Sequence, residues 1–113
     1  MQYLALIYSD ETFDDVPMEQ LFGEYRAFTE KAMAAGVMLG GNPLEPTNTA
    51  TTVRMREGEL LLSDGPFAET KEQLGGYYLF ECENLEEAVS WAKQIPTARY
   101  GSIEVRPIMA FDD

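Results

Sequence analysis

The stretch GGYYLFECENLEEAVSWAKQIP, residues 75–96, contains one strand and one helix and decides the fold class. Gly75-Gly76 opens a run of aromatic and apolar residues at Tyr77–Glu83, which predicts a β-strand. Asn84 suits the N-cap of a helix, and the glutamate three residues later, Glu87, could close a capping box. Pro96 then stops the helix. The apolar stripe expected to be buried consists of Ala88, Trp91, Ala92 and Ile95.

The N-terminal part of the chain has the same order. Residues Gln2–Tyr8 are apolar at odd and even positions, as in a strand that is covered on both faces. Pro17 and Glu19 suit the first turn of a helix, and Gly36 suits the position after its end. These signals predict a helix over residues 17–35. Its apolar residues at helical spacing are Leu21, Phe22, Tyr25, Phe28, Ala32 and Met33.

The remaining segments predict four more strands and two loops. Glu57-Gly58 is a plausible hairpin turn between two of these strands. The complete order is strand, helix, a run of strands, helix and strand, which predicts an α+β fold of ferredoxin-like type with an antiparallel sheet, in a single domain over residues 1–113. The remaining strands are Val37–Gly41, Thr51–Arg56, Glu59–Ser63 and Ser102–Ile108, and the loops are Asn42–Asn48 and Asp64–Leu74.

The strands at Gln2–Tyr8 and Tyr77–Glu83 carry apolar side chains on both faces. Two helices of this size can cover only one face of a sheet, so the second face needs another cover. The same sheet of a second subunit is the simplest cover, which predicts a homodimer.

Composition excludes several function classes. The chain has 20 acidic and 8 basic residues, a net charge of −12, so nucleic acid and anionic membranes are not expected partners. Histidine is absent and Cys82 is the only cysteine, which excludes an intramolecular disulfide and a cysteine-rich zinc site. The acidic residues show no metal-loop spacing, so we expect neither a metal nor another cofactor. The N-terminus lacks the pattern of a signal peptide or transmembrane helix, and we expect a cytoplasmic protein.

The densest group of candidate functional residues lies between Ser63 and Tyr78. Asp64 stands at the end of a strand, where a carboxylate can act as general base or ligand anchor. The alternative is structural, because Asp-Gly-Pro at residues 64–66 is strong turn chemistry. Lys71 could hold an anion or neutralise Asp64, or it could be an ordinary solvated lysine.

Other candidates are arginines and tyrosines. The guanidinium groups of Arg54, Arg99 and Arg106 could bind a carboxylate, or they could form ion pairs, which is the favoured role for Arg106 beside Glu104. Tyrosines could line a pocket or belong to the core or a dimer interface. These are Tyr8, Tyr77, Tyr78 and Tyr100.

Two long motifs carry a family resemblance. The runs DGPFAETKEQLGGYYL, at Asp64–Leu79, and IPTARYGSIEVRPI, at Ile95–Ile108, resemble the DGPF group of the YCII-related family. YLALIY near the N-terminus and the stretch Gly40–Pro46 are similar to the same family. The resemblance covers nearly the whole chain and implies a dimeric α/β barrel.

The resemblance implies less about activity. Some family members occur beside extracytoplasmic-function sigma factors, and one related protein acts on a lactone-type ring. Other branches have a His–Asp pair that is regarded as catalytic, and this chain has no histidine. Asp64 therefore corresponds only to the aspartate of the motif.

Two hypotheses follow. The first is a small-molecule-binding or enzymatic protein for a small organic acid or lactone-like substrate, with Asp64 as base or anchor. The second is a non-catalytic regulatory module that binds a sigma factor. In the first hypothesis the catalytic candidates are Asp64, Lys71 and Tyr77, and the ligand-binding candidates are Gly65, Pro66, Phe67, Arg54, Arg99, Tyr100 and Tyr8.

Overall fold

The computed structural model describes residues 1–10, 17–68 and 70–111. These residues form six strands and two α-helices, together with short 3₁₀ turns at Thr47–Thr49 and Pro96–Arg99. The strands are β1 (Gln2–Ser9), β2 (Met38–Pro43), β3 (Thr51–Arg56), β4 (Glu59–Asp64), β5 (Gln73–Glu81) and β6 (Ser102–Pro107), and the helices are α1 (Met18–Ala34) and α2 (Leu85–Ala92).

Four of the strands form one antiparallel sheet in the order β2-β5-β1-β6. The strands β1 and β2 are joined through α1 and separated in space by β5, while β5 and β6 are joined through α2 and separated by β1. These interlocked βαβ units confirm the ferredoxin-like α+β fold. The strands β3 and β4 form a separate two-stranded hairpin between β2 and β5, and we name this hairpin, together with the following residues 65–67, the arm.

Both helices lie on one face of the sheet, and the core forms there. Phe28 on α1 is its centre, with ring centroids 5.2 Å from Tyr78, 6.3 Å from Phe80 and 6.3 Å from Trp91. Every second residue of β1 faces the helices because side chains alternate along a strand. The core also contains Tyr3, Ala5, Ile7, Ala32, Val37, Cys82, Ala88, Ala92 and Ile95.

The predicted helix over 17–35 is confirmed as Met18–Ala34, but its apolar residues do not share one face. Phe28 and Ala32 are buried, whereas Phe22 and Met33 are exposed. At 100° per residue, Phe22 and Met33 lie more than 100° around the helix from Phe28. A two-layer fold buries only the narrow stripe of α1 that faces the sheet.

The start of α2 follows the predicted cap. The side-chain oxygen of Asn84 accepts a hydrogen bond of 2.9 Å from the backbone N–H of Glu87. The Glu87 carboxylate lies beside Cys82, and burial together with this neighbouring charge raises the pKa of the Cys82 thiol to about 11. Cys82 is thus a small buried residue of the core.

Two apolar surfaces of the described residues face away from the core. One is the side of the four-stranded sheet opposite the helices, which we name the open face, and the other is one side of the arm. The molecule measures 47 × 46 × 18 Å and has an accessible surface of 8204 Å². A compact monomer of 12.7 kDa exposes about 6,200 Å². The fold is therefore flatter and more exposed than a self-sufficient domain of this size.

The N-cap of α2 is open to a direct test. Replacing Asn84 by alanine removes the acceptor for the Glu87 N–H, and we expect the free energy of unfolding to fall by about 1 kcal/mol in chemical denaturation. Asn48→Ala is the matched control, because Asn48 is exposed outside both α-helices and should change stability by less than about 0.5 kcal/mol. Equal effects of the two substitutions would contradict the role given to the cap.

Candidate functional site

The open face combines an apolar centre with a polar margin. Its central residues Leu4, Leu6 and Leu79 are half-buried, although no element of the described chain covers them. The edge strand β6 alternates, so that Ser102, Glu104 and Arg106 lie opposite residues of β1 that point to this face. The result is a polar row beside an apolar floor.

Hydrogen bonds join the polar residues of this face. The Tyr8 hydroxyl donates to Glu104 Oε1 at 3.4 Å, and the Ser102 hydroxyl donates to Glu72 Oε2 at 2.8 Å. On the opposite edge, Asn42 Nδ2 donates to the Tyr77 hydroxyl at 2.9 Å. Two phenols and two carboxylates are thus held in place on one face of a rigid sheet.

The charges around Tyr8 fix the state of its phenol. Burial raises the pKa of the Tyr8 phenol, and the nearby Glu104 carboxylate raises it further, both through its charge and as a hydrogen-bond acceptor. The positive charge of Arg106 acts in the opposite direction and is the weaker influence. Tyr8 therefore stays protonated near neutral pH, where it can donate a hydrogen bond but cannot serve as a base.

This set of groups suits a small molecule that has both a ring and oxygen substituents. Leu4 and Leu79 offer an apolar floor, Tyr8 offers a hydroxyl, and Arg106 offers a guanidinium that pairs well with carboxylates. No ion pair of Arg106 forms within the described residues, so its expected pairing with Glu104 is not observed there. Within the same residues, no group of histidine, cysteine, aspartate or glutamate side chains could hold a metal ion.

The arm carries half of the residues that the sequence singled out. Asp64 is exposed at the end of β4, opposite Thr51, and within the described part of the chain its carboxylate makes no hydrogen bond or ion pair. Gly65 has φ +95°, its N–H donates to Ala50 at 2.7 Å, and its carbonyl accepts from the Thr52 hydroxyl at 2.9 Å. The segment has turn geometry, as the structural alternative for Asp64 requires.

The other members of the arm group contact each other. The guanidinium of Arg54 lies 5.0 Å from the centre of the Phe67 ring, which is 75% exposed. Pro66 is partly buried between Gly65 and Phe67. This stacking forms a compact surface but no enclosed site.

The remaining candidates lie elsewhere. Arg99 forms an ion pair with Glu24 on α1, and its guanidinium lies 5.1 Å from the Tyr100 ring. Lys71 is exposed and is not paired with Asp64 among the described ion pairs. The structure thus places Tyr8 and Tyr77 together on the open face, five candidates on the arm, and Arg99 with Tyr100 near α1.

The sequence analysis considered Arg106 as a carboxylate-binding residue but favoured an ion pair for it, and several polar residues of the open face were not chosen as site residues. They are Asn42, Glu72, Ser102, Glu104 and Arg106. The signal for the last three was present in the sequence, because polar residues alternate with Ile103 and Val105 along β6. Asn42 lies inside β2 and Glu72 directly before β5, but the sequence predicted both in loops, so their faces could not be assigned.

Comparison with known proteins agrees with this architecture. The family model described as YCII-related domain matches residues 1–112. The chain belongs to the YCII-related domain family. An uncharacterised protein from Rhizobium meliloti (strain 1021) is 38% identical over 117 residues, covering 98% of this chain and 94% of the relative.

A solved structure has the same fold. It is the 5-chloro-2-hydroxyhydroquinone dehydrochlorinase from Burkholderia phenoliruptrix AC1100, in complex with 2,5-dihydroxybenzoquinone. The match has a TM-score of 0.56 and 16% identity, and covers 96% of this chain and 94% of that chain. At this identity the likeness concerns the fold alone. Within the described residues of this YCII-related domain, no helix is long and apolar enough to span a membrane.

The raised pKa of Tyr8 gives a test of the open-face electrostatics. We expect the Tyr8 phenol to titrate above its ordinary value of 10.0. Glu104→Gln should lower this pKa, because it removes the negative charge that disfavours the phenolate, but the pKa should stay above 10.0 because burial, the larger cause, remains.

Carbon-13 NMR of labelled tyrosine can follow this titration. The chain has six tyrosines, and Tyr8→Phe identifies the relevant signal. Glu72→Gln is the matched control, because the Glu72 carboxylate accepts from Ser102 and not from Tyr8. An unchanged Tyr8 pKa in Glu104→Gln would contradict the coupling.

Proposed function

We propose that this chain forms a homodimer that binds, and acts on, a small organic acid or lactone-like molecule at the open face of its sheet. The observation that carries the proposal is the polar row of Tyr8, Glu104 and Arg106 beside the uncovered leucine floor. A dimer interface also has a polar rim, so the feature that favours a ligand is the guanidinium of Arg106, which forms no ion pair within the described residues and lies beside the apolar floor.

Each part of the site has a distinct role in this proposal. The Arg106 guanidinium pairs with a carboxylate or carbonyl oxygen of the ligand, and the phenols of Tyr8 and Tyr77 supply further hydrogen bonds. The ring of the ligand contacts Leu4 and Leu79. The second subunit excludes water and strengthens these polar contacts, because charge interactions grow as the surroundings become less polar.

The structural neighbour supports this choice of ligand class. Its bound molecule, 2,5-dihydroxybenzoquinone, is a planar ring with hydroxyl and carbonyl oxygens. Oxygens of this kind can accept from Arg106 and from the Tyr77 hydroxyl, whose proton is not used in its bond with Asn42, while the ring lies on the apolar floor. The same molecule is therefore a rational first probe for this chain.

For the reaction itself, Asp64 remains the proposed base or anchor, with Lys71 near it along the chain. A carboxylate is a natural proton acceptor in a chain without histidine. Asp64 lies on the arm of its own subunit, whereas Tyr8 and Tyr77 lie on the open face. The catalytic step thus requires the arm and an open face to meet.

Binding of 2,5-dihydroxybenzoquinone, measured by calorimetry, tests the proposed site. We expect saturable binding to the unaltered protein and a dissociation constant at least about tenfold higher in Arg106→Leu, since a charge-assisted pair is lost. Arg26→Leu is the control, because Arg26 is exposed on α1, the helix side of the sheet.

A panel of small carboxylic acids and lactones should be tested in the same way. Asp64→Asn keeps the shape of the turn and removes the charge. For any compound that binds, this substitution should therefore reduce turnover, and it should leave the thermal stability of the protein unchanged. Equal binding by the Arg106→Leu and Arg26→Leu proteins would overturn the assignment of the open face.

The homodimer has its own test. Leu6 lies at the centre of the open face, opposite Tyr77 and Glu104 on the two neighbouring strands. A charge at this position would be buried in a sheet-to-sheet interface, so Leu6→Glu should shift the sedimentation coefficient from dimer to monomer at micromolar concentration. Leu85→Glu, exposed on the helix side, should leave a dimer. A monomeric unaltered protein would refute the proposal.

The alternative function, a regulatory module that binds a sigma factor, stays a prediction. None of the described contacts favours it over the small-molecule site. A pull-down with a purified extracytoplasmic-function sigma factor would test it independently of any ligand.

A further inference from the structure

The arm has one apolar side and one polar side. Its register pairs Val53 with Leu62 and Met55 with Leu60, so these four side chains lie on one side of the hairpin. The side chains on the other side are Thr52, Arg54, Arg56, Glu59, Leu61 and Ser63. Leu61 is the one large apolar residue among them.

The apolar side has no cover within the described chain. Val53 is 60% exposed, Met55 57%, Leu60 58% and Leu62 62%. Among the described residues, the strands β3 and β4 pair with each other and join no strand of the main sheet. An isolated two-stranded hairpin is marginally stable in water, so a hairpin with four exposed apolar side chains on one side needs a surface to rest on.

The accessible surface area of the molecule indicates that a second copy of the chain can cover the apolar side of the arm. The accessible surface exceeds that of a compact monomer of the same mass by roughly 2,000 Å². A stable interface buries about 800 Å² on each partner. The excess is large enough for both uncovered surfaces, the open face and the arm, to be buried against one second copy.

The position of the arm suits contact with a second copy of the chain. It follows β2, an edge strand of the main sheet, and so leaves the sheet at its margin. In a two-fold dimer each subunit gives one arm and receives one, so both apolar surfaces are covered by a single symmetric contact.

We propose that the apolar side of the arm packs on a second copy of this chain and brings Asp64 to the open face of that copy. Asp64 lies opposite Thr51 on the same side of the arm as Val53 and Leu62. A contact that buries this side therefore places Asp64 at its edge. The inference rests on the proposed open-face site and makes that site composite, with Tyr8 and Arg106 from one subunit and Asp64 from the other.

Site-specific photo-crosslinking tests the proposal without any ligand. A benzophenone amino acid replaces Leu62 in one protein and Asp64 in a second, and each is prepared with ordinary nitrogen and with nitrogen-15. The two isotopic pools are mixed, allowed to exchange subunits and irradiated. Leu61, next to Leu62 on the polar side, is the matched control position.

The proposal expects crosslinks between light and heavy chains in about half of the product, as random pairing of equal pools requires. The crosslinked partner peptides should come from β1, β5 or β6, and the control position should give few crosslinks. Crosslinks within one chain, or only between two arms, would overturn the proposal.

A second measurement guards against misfolding of a substituted protein. Leu62→Arg should raise the dimer dissociation constant at least about tenfold in sedimentation, while Leu61→Arg changes it by less than about twofold. Near-ultraviolet circular dichroism should be unchanged in both, because the arm lies outside the core. Equal effects of the two substitutions would also overturn the proposal.

The arm contact and the proposed ligand can be refuted independently. Failure of 2,5-dihydroxybenzoquinone to bind would count against the proposed ligand class, but the crosslinking experiment uses no ligand and would still test the contact between the arm and the second copy.

Discussion

Two helices can bury only one face of a four-stranded sheet, and this constraint governs the rest of the structure. The helices α1 and α2 cover the side with Tyr78 and Phe80, where Phe28 forms the centre of an aromatic core. The other side is left with leucines in its central strands and polar residues at its edge. That uncovered side is where binding and association are proposed, because the remainder of the sheet is already occupied by the core.

The absence of histidine narrows the chemistry available to such a site. Without imidazole, proton transfer depends on carboxylates and phenols, whose ordinary pKa values lie on either side of neutral. In the structure, the phenol of Tyr8 and the carboxylate of Asp64 lie in different surroundings. Tyr8 is held as a hydrogen-bond donor by burial and by Glu104, while Asp64 stands exposed on the arm. A carboxylate as proton acceptor and a phenol as hydrogen-bond donor form a reasonable set once they are close together.

Much of the fold could be predicted because the decisive signals are local. The cap at Asn84, the glycine after α1 and the turn at Glu57-Gly58 each depend on a few neighbouring residues, and all three are observed. The side of α1 that faces the sheet was harder to predict from the sequence, because Phe22 and Met33 are as apolar as Phe28 and only tertiary packing distinguishes them.

The candidate site was less accessible to sequence reasoning because it depends on register. Asp64, Arg54 and Phe67 attract attention as a motif, yet the pairing of β3 with β4 sets them on the arm, away from Tyr8 and Tyr77. The turn at Glu57-Gly58 fixes the register of β3 with β4 locally, whereas β6 and β1 are far apart in the chain and no local signal fixes their register. Ser102, Glu104 and Arg106 become neighbours of Tyr8 only through the pairing of β6 with β1.

The turn at the tip of the arm has a consequence for how such proteins can diverge. Glu57 and Gly58 both have positive φ, the geometry of a two-residue turn that matches the twist of its strands. Because the arm pairs with no other strand of the described chain, removing one residue pair would shorten it and leave the main sheet intact, but would turn the pairs between the deletion and the tip to the opposite side. Changes of two pairs would preserve the sides. The length of the arm can therefore change in steps of four residues while its apolar and polar sides and the core stay the same.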